Sequence, residues 1–578
     1  MAAGASLALL GALTWPLLFS DSTFNEDWLN HLWYMWHQSQ AIRANHLPSL
    51  FLNYSEGVFY PLYAFYGGTI YALTGTLSLV LGSVLDAYVL TYLLGFAAAY
   101  AGWYWISRMF GLERWLAHAP GVVFVTSASY LMTLYGLGDW PEFLAVSVMP
   151  LMIASGLSVM RADRMRPRAA AVLAASCVVF FGTHLLTVIW GSTVLLIAGA
   201  AILACVPDAR RAIGWSQLAR IAALLIPALL VNAWFLLPTV AYESKTVIAE
   251  SYPIFRRLVQ LSMYTVADRR LFTLSRARVG ASVVTTALPV LPMLWVIAGV
   301  ALSYRARRGD GWRRVLLVLC ATATLLLMAM THAALILALP RIYATLQFSF
   351  RLESYVLLAV AGAMLAALRA NRDGARAVRI WTWMLLPVLA VCVVGAAQQT
   401  AAYPSSESRS LAFSSYLKPT YEQEGLLNYV HDRASVSKEH LPLVVFPPLS
   451  VRGDHVSVIT HAKPGERVDT NLRSGPEFVD VSGARIVGAD LEANDVLEIE
   501  GPTLPSRRPA ADRGRLSAPA ERISVGPADG FPVVAGRVLT GLGVVILAFE
   551  LLALVVRDGA LGRRLPRGLQ RWTGRPGC

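Results

Sequence analysis

Apolar stretches of about 17–25 residues recur along this chain, each long enough as a helix to cross roughly 30 Å of hydrocarbon. Residues 185–206 carry no charge at all, and 538–556 carry only Glu550. In lipid every backbone N–H and C=O must find a partner within the protein, so a chain built this way folds as a bundle of spanning helices. The composition agrees: 578 residues with 56% hydrophobic and only 15% charged side chains, and a mean hydropathy of +0.53, exclude an ordinary soluble enzyme. The first apolar segment, 4–19, has no basic residue before it and no small-x-small cleavage site after it, so it reads as a retained anchor. Of five cysteines, Cys177, Cys205, Cys320 and Cys392 lie in apolar segments, with no disulfide framework and no Cys/His zinc spacing.

The net charge of +13 is spent on connectors rather than on a nucleic-acid surface. Arg108–Arg114, Arg161–Arg168, Arg210-Arg211, Arg305–Arg314, Arg369–Arg379 and the tail from Arg557 to Arg575 are basic, and the positive-inside rule places all six in the cytoplasm. The spans between successive basic connectors are even in number if residues 59–81 do not cross the membrane. Tyr60-Pro61, Tyr63, Tyr66-Gly67-Gly68, Tyr71 and Gly75 make that stretch Tyr- and Gly-rich, as suits a segment lying against the outer surface. The expected topology has about twelve spans, at 4–19, 84–106, 115–135, 143–160, 169–184, 185–206, 221–238, 283–303, 315–330, 354–368, 380–398 and 538–556, with both termini cytoplasmic. Thirteen spans, with a weak first anchor, is the alternative. Lysine occurs only at Lys245, Lys418, Lys438 and Lys463 beside abundant Arg and Ala, a bias that suits a GC-rich bacterial genome and hence a bacterial plasma membrane.

This topology divides the chain into a transmembrane domain (1–398), an extracytoplasmic domain (399–533), a final transmembrane helix (534–556) and a basic cytoplasmic tail (557–578). The outer loop 20–83 carries interfacial helices; from Asp27 to Trp36 the pattern predicts an amphipathic helix along the membrane surface, anchored by Trp28, Trp33 and Trp36. In 399–533 short apolar runs such as 441–446 and 455–459 alternate with the turns Lys463-Pro464-Gly465 and Ser474-Gly475-Pro476, which predicts a small β-rich domain.

The chemistry-bearing residues gather in the outer segments. Asn25-Glu26-Asp27-Trp28-Leu29-Asn30-His31 places an acidic pair and a histidine at a wet membrane face. Asp27, with Glu26, suits a general base that removes a proton from an attacking hydroxyl; an aspartate there also suits a helix N-cap. His31 lies one turn beyond Asp27 and shares its face. Asp139 and Glu142, in Gly138-Asp139-Trp140-Pro141-Glu142, form a second acidic loop, which either caps the next helix or joins the first in holding an acceptor or a metal. His184 belongs to the same neighbourhood if it is more than a structural histidine, and His332 is placed similarly at a helix end. Arg351 and Arg341 supply cations where a lipid phosphate would sit, since the arginine fork holds phosphate oxygens bidentately; head-group snorkelling is the plainer use of such residues. Arg256-Arg257 and Arg269-Arg270 are a second basic resource. No cofactor is assured, and a divalent metal is left open.

Taken in order, these motifs resemble a bacterial membrane family. Asp27-Trp-Leu-Asn-His31, Ile42-Arg43-Ala44, Pro48, Gly57 and Tyr60-Pro61-Leu62-Tyr63 are similar to the opening of the 6-pyruvoyl-tetrahydropterin-synthase-related membrane proteins and their YfhO-type relatives. The loop with Glu142, the corner Thr183-His184-Leu185 and Gln347-Phe348-Ser349-Phe350-Arg351 resemble later motifs of those proteins. The pterin label does not transfer, because pterin synthases are soluble and need a zinc-binding histidine set that this chain lacks. The resemblance that implies a function is to GT-C glycosyltransferases, polytopic enzymes with a catalytic acidic residue in the first outer loop and a polyprenyl-phosphate sugar donor. It implies Asp27 as base and Arg351 on the leaving phosphate, with an envelope glycan or lipid-linked glycan as acceptor and membrane lipids, not nucleic acid, as surroundings. Ser349, Phe350 and Leu185 depart from the family's usual proline, tryptophan and asparagine. The expectation is therefore an all-α, GT-C-like polytopic membrane protein with a β-rich outer domain, acting as an inverting glycosyltransferase. A transporter or flippase of lipid-linked glycans, which would want carboxylates within spans such as Glu550, and a non-catalytic envelope-assembly protein are the alternatives.

Overall fold

The computed structural model describes residues 2–21, 27–54, 58–60, 62–162, 165–242, 275–279, 282–286, 288–305, 311–344, 346, 349–371, 376–403, 408, 410–411, 456–460, 467–473, 479–482, 485–490, 496–500, 521–528 and 530–564. Among them seven helices are long and apolar enough to cross a membrane: Val84–Met109, Trp140–Arg161, Leu185–Cys205, Gly311–Met330, Phe350–Ala370, Arg376–Ala401 and Phe531–Asp558. The chain is a helical membrane protein. The Glu353–Ala370 helix is buried on nearly all sides and lies at the centre of the bundle. The last helix, Phe531–Arg564, keeps most of its length exposed, as a lipid-facing helix does.

An eighth crossing is broken. Helices Trp215–Val231 and Ala233–Tyr242 meet at 68° across Asn232. A break frees backbone groups that lipid cannot satisfy, and side chains take them up. The Asn232 amide donates to the carbonyls of Val178 (3.2 Å) and Ala228 (2.9 Å), while Trp234 N–H donates to Thr540 Oγ1 (2.9 Å) on the last helix.

Three expected segments take other forms. Residues 115–135 are not one helix but a run of short turns, Leu116–His118, Ala119–Val125, Ala128–Leu131 and Met132–Gly136, interrupted where Ser127 caps a new turn by accepting from Tyr130 N–H. The 283–303 stretch splits into a strand, Ser282–Thr286, and a helix, Val290–Arg305. Residues 59–81 yield a strand ending at Tyr60, a single turn Leu62–Phe65, and a helix Gly68–Leu81. That helix has 14 residues, which is about 21 Å at 1.5 Å per residue and short of the hydrocarbon thickness.

The helix Trp28–Asn45 is not a surface helix. Trp28 and Trp33 are buried, with Leu32, Met35 and His37, so two of the three indoles expected as interfacial anchors are core residues, and Trp36 is half-buried. Polar side chains on the helix are paired within the protein: His37 Nδ1 meets Tyr63 OH at 2.9 Å, and Gln38 exchanges bonds with the Ser49 backbone. A helix covered over most of its surface buries aromatic and polar groups alike, provided the polar ones are bonded.

Strands occur in the segments between helices. Leu52–Tyr54 and Val58–Tyr60 form a hairpin, and Val58 pairs in parallel with Arg473, joining it to the strands 467–473, 496–500 and 485–490 in one sheet. A second sheet has Glu521–Pro527 between Val456–Thr460 and Val479–Ser482. Most of 399–533 lies outside the described residues.

The bundle has two chemically distinct ends. Arg161 donates to Met109 O, Arg220 to Ala162 O and Arg314 to Cys205 O, so arginines cap exposed carbonyls at the C-terminal ends of three helices. The Trp140 and Leu185 helices begin at the opposite end, about 33 Å away for a helix of 22 residues. Asp139 and Glu142 lie there.

Candidate functional site

The second acidic loop is built by helix-capping chemistry. Asp139 sits at the N-cap of the Trp140 helix and accepts from Glu142 N–H at 3.2 Å, with Pro141 in the first turn where no N–H is needed. This puts two carboxylates side by side at a helix N-terminus, which favours negative charge. Both are nearly sealed from solvent, Asp139 at 5% and Glu142 at 3% exposure. Two buried carboxylates are costly unless a cation answers them.

Arg351 is that cation. It stands in the tight turn Ser349–Leu352 that leads into the central Glu353 helix. A single nitrogen, Nη1, lies 3.0 Å from Asp139 Oδ2, 2.5 Å from Glu142 Oε2 and 3.1 Å from His184 Nε2. His184 is the N-cap residue of the Leu185 helix, and its Nδ1 is 2.8 Å from Thr187 Oγ1. Because the guanidinium has only hydrogens to give, Nε2 accepts from it and Nδ1 carries the ring proton toward Thr187. The second acidic loop, the His184 corner and the start of the central helix therefore close on one another.

The first loop reaches the same place by its backbone. Asp27 N–H donates to Leu137 O at 2.9 Å, and Asp27 O accepts from His31 N–H. Asp27 occupies the N-cap position of its helix, yet its carboxylate makes no capping bond; Asn30 Nδ2 lies 3.5 Å from Oδ1. Half-buried, it interacts electrostatically with Arg351 and with the Tyr71 hydroxyl. The His31 ring points inward, with Nδ1 2.6 Å from Tyr71 OH, and Trp140 packs near both rings.

The electrostatics follow from this crowding. Burial raises the Asp139 pKa, but the Arg351 guanidinium, with His184 and His31, outweighs it and holds the carboxyl below the usual range. Burial lowers His31 to about 4 and His184 to about 3, against the pull of Asp139 and with the help of Arg351. Both imidazoles are neutral at physiological pH. Among the described residues, Asp139, Glu142 and His184 are the one group whose donor atoms, all within 4.8 Å of one another, have metal-ligand spacing.

Of the residues singled out from sequence, Asp27, His31, Asp139, Glu142, His184 and Arg351 come together. His332 is exposed at the start of the short helix Ala333–Leu337, with no capping bond from its side chain. Arg341 opens the helix Arg341–Ala344, and its side chain lies outside the described residues, as do Glu26, Arg256-Arg257 and Arg269-Arg270 entirely. Sequence reasoning missed Tyr71, Tyr66 and Thr187. Thr187 was reachable, three residues beyond His184 on the same helix face. Tyr66 and Tyr71 stood in a stretch whose tyrosines read as interfacial, and nothing local ties them to His31. Gly67 seats that stretch: with φ +83, it brings its backbone so near the Thr183 carbonyl that an added Cβ would overlap it.

No family model matches this chain, and no curated protein matches it. Among solved structures it is similar to the arabinofuranosyltransferase AftD from Mycobacteria, seen by single-particle cryo-EM, with a TM-score of 0.43 and 17% identity over 69% of this chain and 26% of that one. Two classes of an arginine-to-serine mutant of AftD give TM-scores of 0.44 and 0.42, each at 18% identity, over 70% and 68% of this chain and 28% and 27% of theirs. The chain thus spans about a quarter of the length of those proteins.

Proposed function

We propose that this protein is a membrane glycosyltransferase that moves a sugar from a polyprenyl-phosphate donor to an envelope glycan or lipid-linked acceptor at the outer face of a bacterial plasma membrane. The observation that carries the reading is the buried carboxylate–guanidinium cluster at one end of the bundle, with Asp27 beside it as a half-buried carboxylate not used as a cap. The arginine-capped helix ends lie across the bundle from it. By the positive-inside rule this supports an outward-facing site and cytoplasmic termini, with the strands of 399–533 as a small outer domain.

In this reading Asp27 is the base. The acceptor hydroxyl gives its proton to the Asp27 carboxylate as its oxygen bonds to the anomeric carbon. The bond from that carbon to the phosphate oxygen breaks, and the electron pair leaves with the polyprenyl phosphate. Attack opposite the leaving group inverts the anomeric centre. Arg351 and Arg341 are assigned to the donor phosphate, where charge grows as the bond breaks. Asp139, Glu142, His184 and His31 shape the neighbourhood around them.

The test is transfer by the purified protein in nanodiscs, supplied with polyprenyl-phosphate sugars and envelope glycan acceptors. Asp27→Asn keeps size and hydrogen bonding but removes the base, so turnover should fall roughly 10²–10⁴-fold with an unchanged unfolding midpoint. Wild-type transfer by the variant would remove Asp27 from the mechanism. Wild-type protein that translocates the donor without forming any glycosidic product would favour the flippase reading instead.

A further inference from the structure

We infer that Arg351 stands in for a divalent cation: Asp139, Glu142 and His184 form a latent metal site that the chain keeps filled with its own guanidinium. The three residues arrive from two helix starts, and their donor atoms lie within 4.8 Å of one another. Two carboxylate oxygens and an imidazole nitrogen are a set that Zn²⁺ and Mn²⁺ take readily, at about 2.0–2.2 Å from each donor. One atom already touches all three. Arg351 Nη1, at 2.5–3.1 Å from Oε2, Oδ2 and Nε2, occupies the point from which a metal would reach them.

The two cations exclude each other. An ion at bonding distance from these donors would overlap Nη1, and a divalent charge beside the guanidinium would place three positive charges against two carboxylates in a buried pocket. The His184 tautomer fits either occupant, because the Nδ1 bond to Thr187 leaves the Nε2 lone pair facing the centre. Removing the guanidinium leaves two buried carboxylates with no cation from the turn that supplied it. A divalent ion would bond to all three donors at once, where Arg351 meets them only through the hydrogens of one nitrogen. The wild-type chain therefore holds no divalent metal at this cluster, and loss of Arg351 creates the site.

Mn²⁺ binding, followed by the loss of the free-ion EPR signal on purified protein in nanodiscs, tests this directly. Wild type should bind no more Mn²⁺ than Glu142→Gln does. Arg351→Ala should bind about one further equivalent, and Arg351→Ala with Glu142→Gln should lose that affinity by at least about tenfold. Millimolar guanidinium should compete with the ion in Arg351→Ala, and Mn²⁺ should raise the melting temperature of that variant alone. If Arg351→Ala does not accumulate as a monodisperse helical protein, Arg351→Gln serves for the same measurements. A wild-type Mn²⁺ site abolished by Glu142→Gln would overturn the inference, as would folded Arg351 variants that bind no more than wild type. The readout is metal binding, so the transferase reading stands or falls separately.

Discussion

Asp27 and Asp139 hold the same position at the start of a helix and do different things there. Asp139 caps its helix and bonds Arg351, so its carboxylate is committed to structure on both sides. Asp27 holds its place through the backbone bond to Leu137 and leaves its carboxylate uncommitted to the cap. Its neighbour His31 is a neutral, buried imidazole whose pKa of about 4 lies below the ordinary 6.5. Between those values the unfolded chain binds a proton at His31 that the folded chain does not, so this residue's contribution is present above pH 6.5 and is lost as the pH falls toward 4. The full loss is about 3 kcal/mol. Thermal unfolding from pH 7.5 to 4.5 should therefore show a shallower fall for His31→Gln than for wild type. Parallel curves would mean that His31 protonates without penalty.

The elements around the site are joined by close backbone approach. Ile70 N–H donates to Gly182 O, and Gly67 lies against Thr183, so the start of the Gly68–Leu81 helix is seated on the corner that aims His184. Gly67 and Gly82 share the left-handed conformation, at φ +83 and +72, but a Cβ on Gly82 would meet nothing within 4 Å. Gly82→Ala should therefore cost only the backbone strain of about 1 kcal/mol. Gly67→Ala adds a clash with a carbonyl that cannot rotate away, and about 3 kcal/mol or more is expected. Melting temperatures of the two variants, measured side by side, separate strain from packing. Equal losses would show that the His184 corner yields easily.

Across the bundle, one end collects arginines on helix carbonyls and the other holds the buried carboxylates Asp139 and Glu142. This polarity fixes how the protein should sit in its membrane. Leu47, 66% exposed within the expected outer loop 20–83, and Glu113, exposed at the arginine end, are suitable reporters. In a Cys205→Ser background, a cysteine at Leu47 should react with a membrane-impermeant maleimide in intact cells, and one at Glu113 only after the cells are opened. The reverse pattern would turn the site toward the cytoplasm and end the outward-facing transferase reading.

Membrane character was legible in the chain because a lipid-spanning helix needs a long apolar run, which is a local property. The candidate residues were legible too, since Asp27, Asp139, Glu142, His184 and Arg351 are charged or titratable groups at the ends of such runs. Their joining was not. Arg351 meets Glu142 from 209 positions away, and no spacing along the chain encodes which distant cation neutralises a buried carboxylate. The tryptophans of the Trp28–Asn45 helix misled for the same reason: an indole suits an interface or a core equally well, and only the packing of other helices over Trp28 and Trp33 distinguishes the two. Helix continuity was equally out of reach at Asn232, where the break depends on Thr540, more than 300 residues away, to satisfy the freed Trp234 N–H. Local chemistry sets which segments enter the membrane and which residues are costly to bury. Long-range neutralisation and hydrogen bonding, present only once the bundle has closed, decide which of those residues meet.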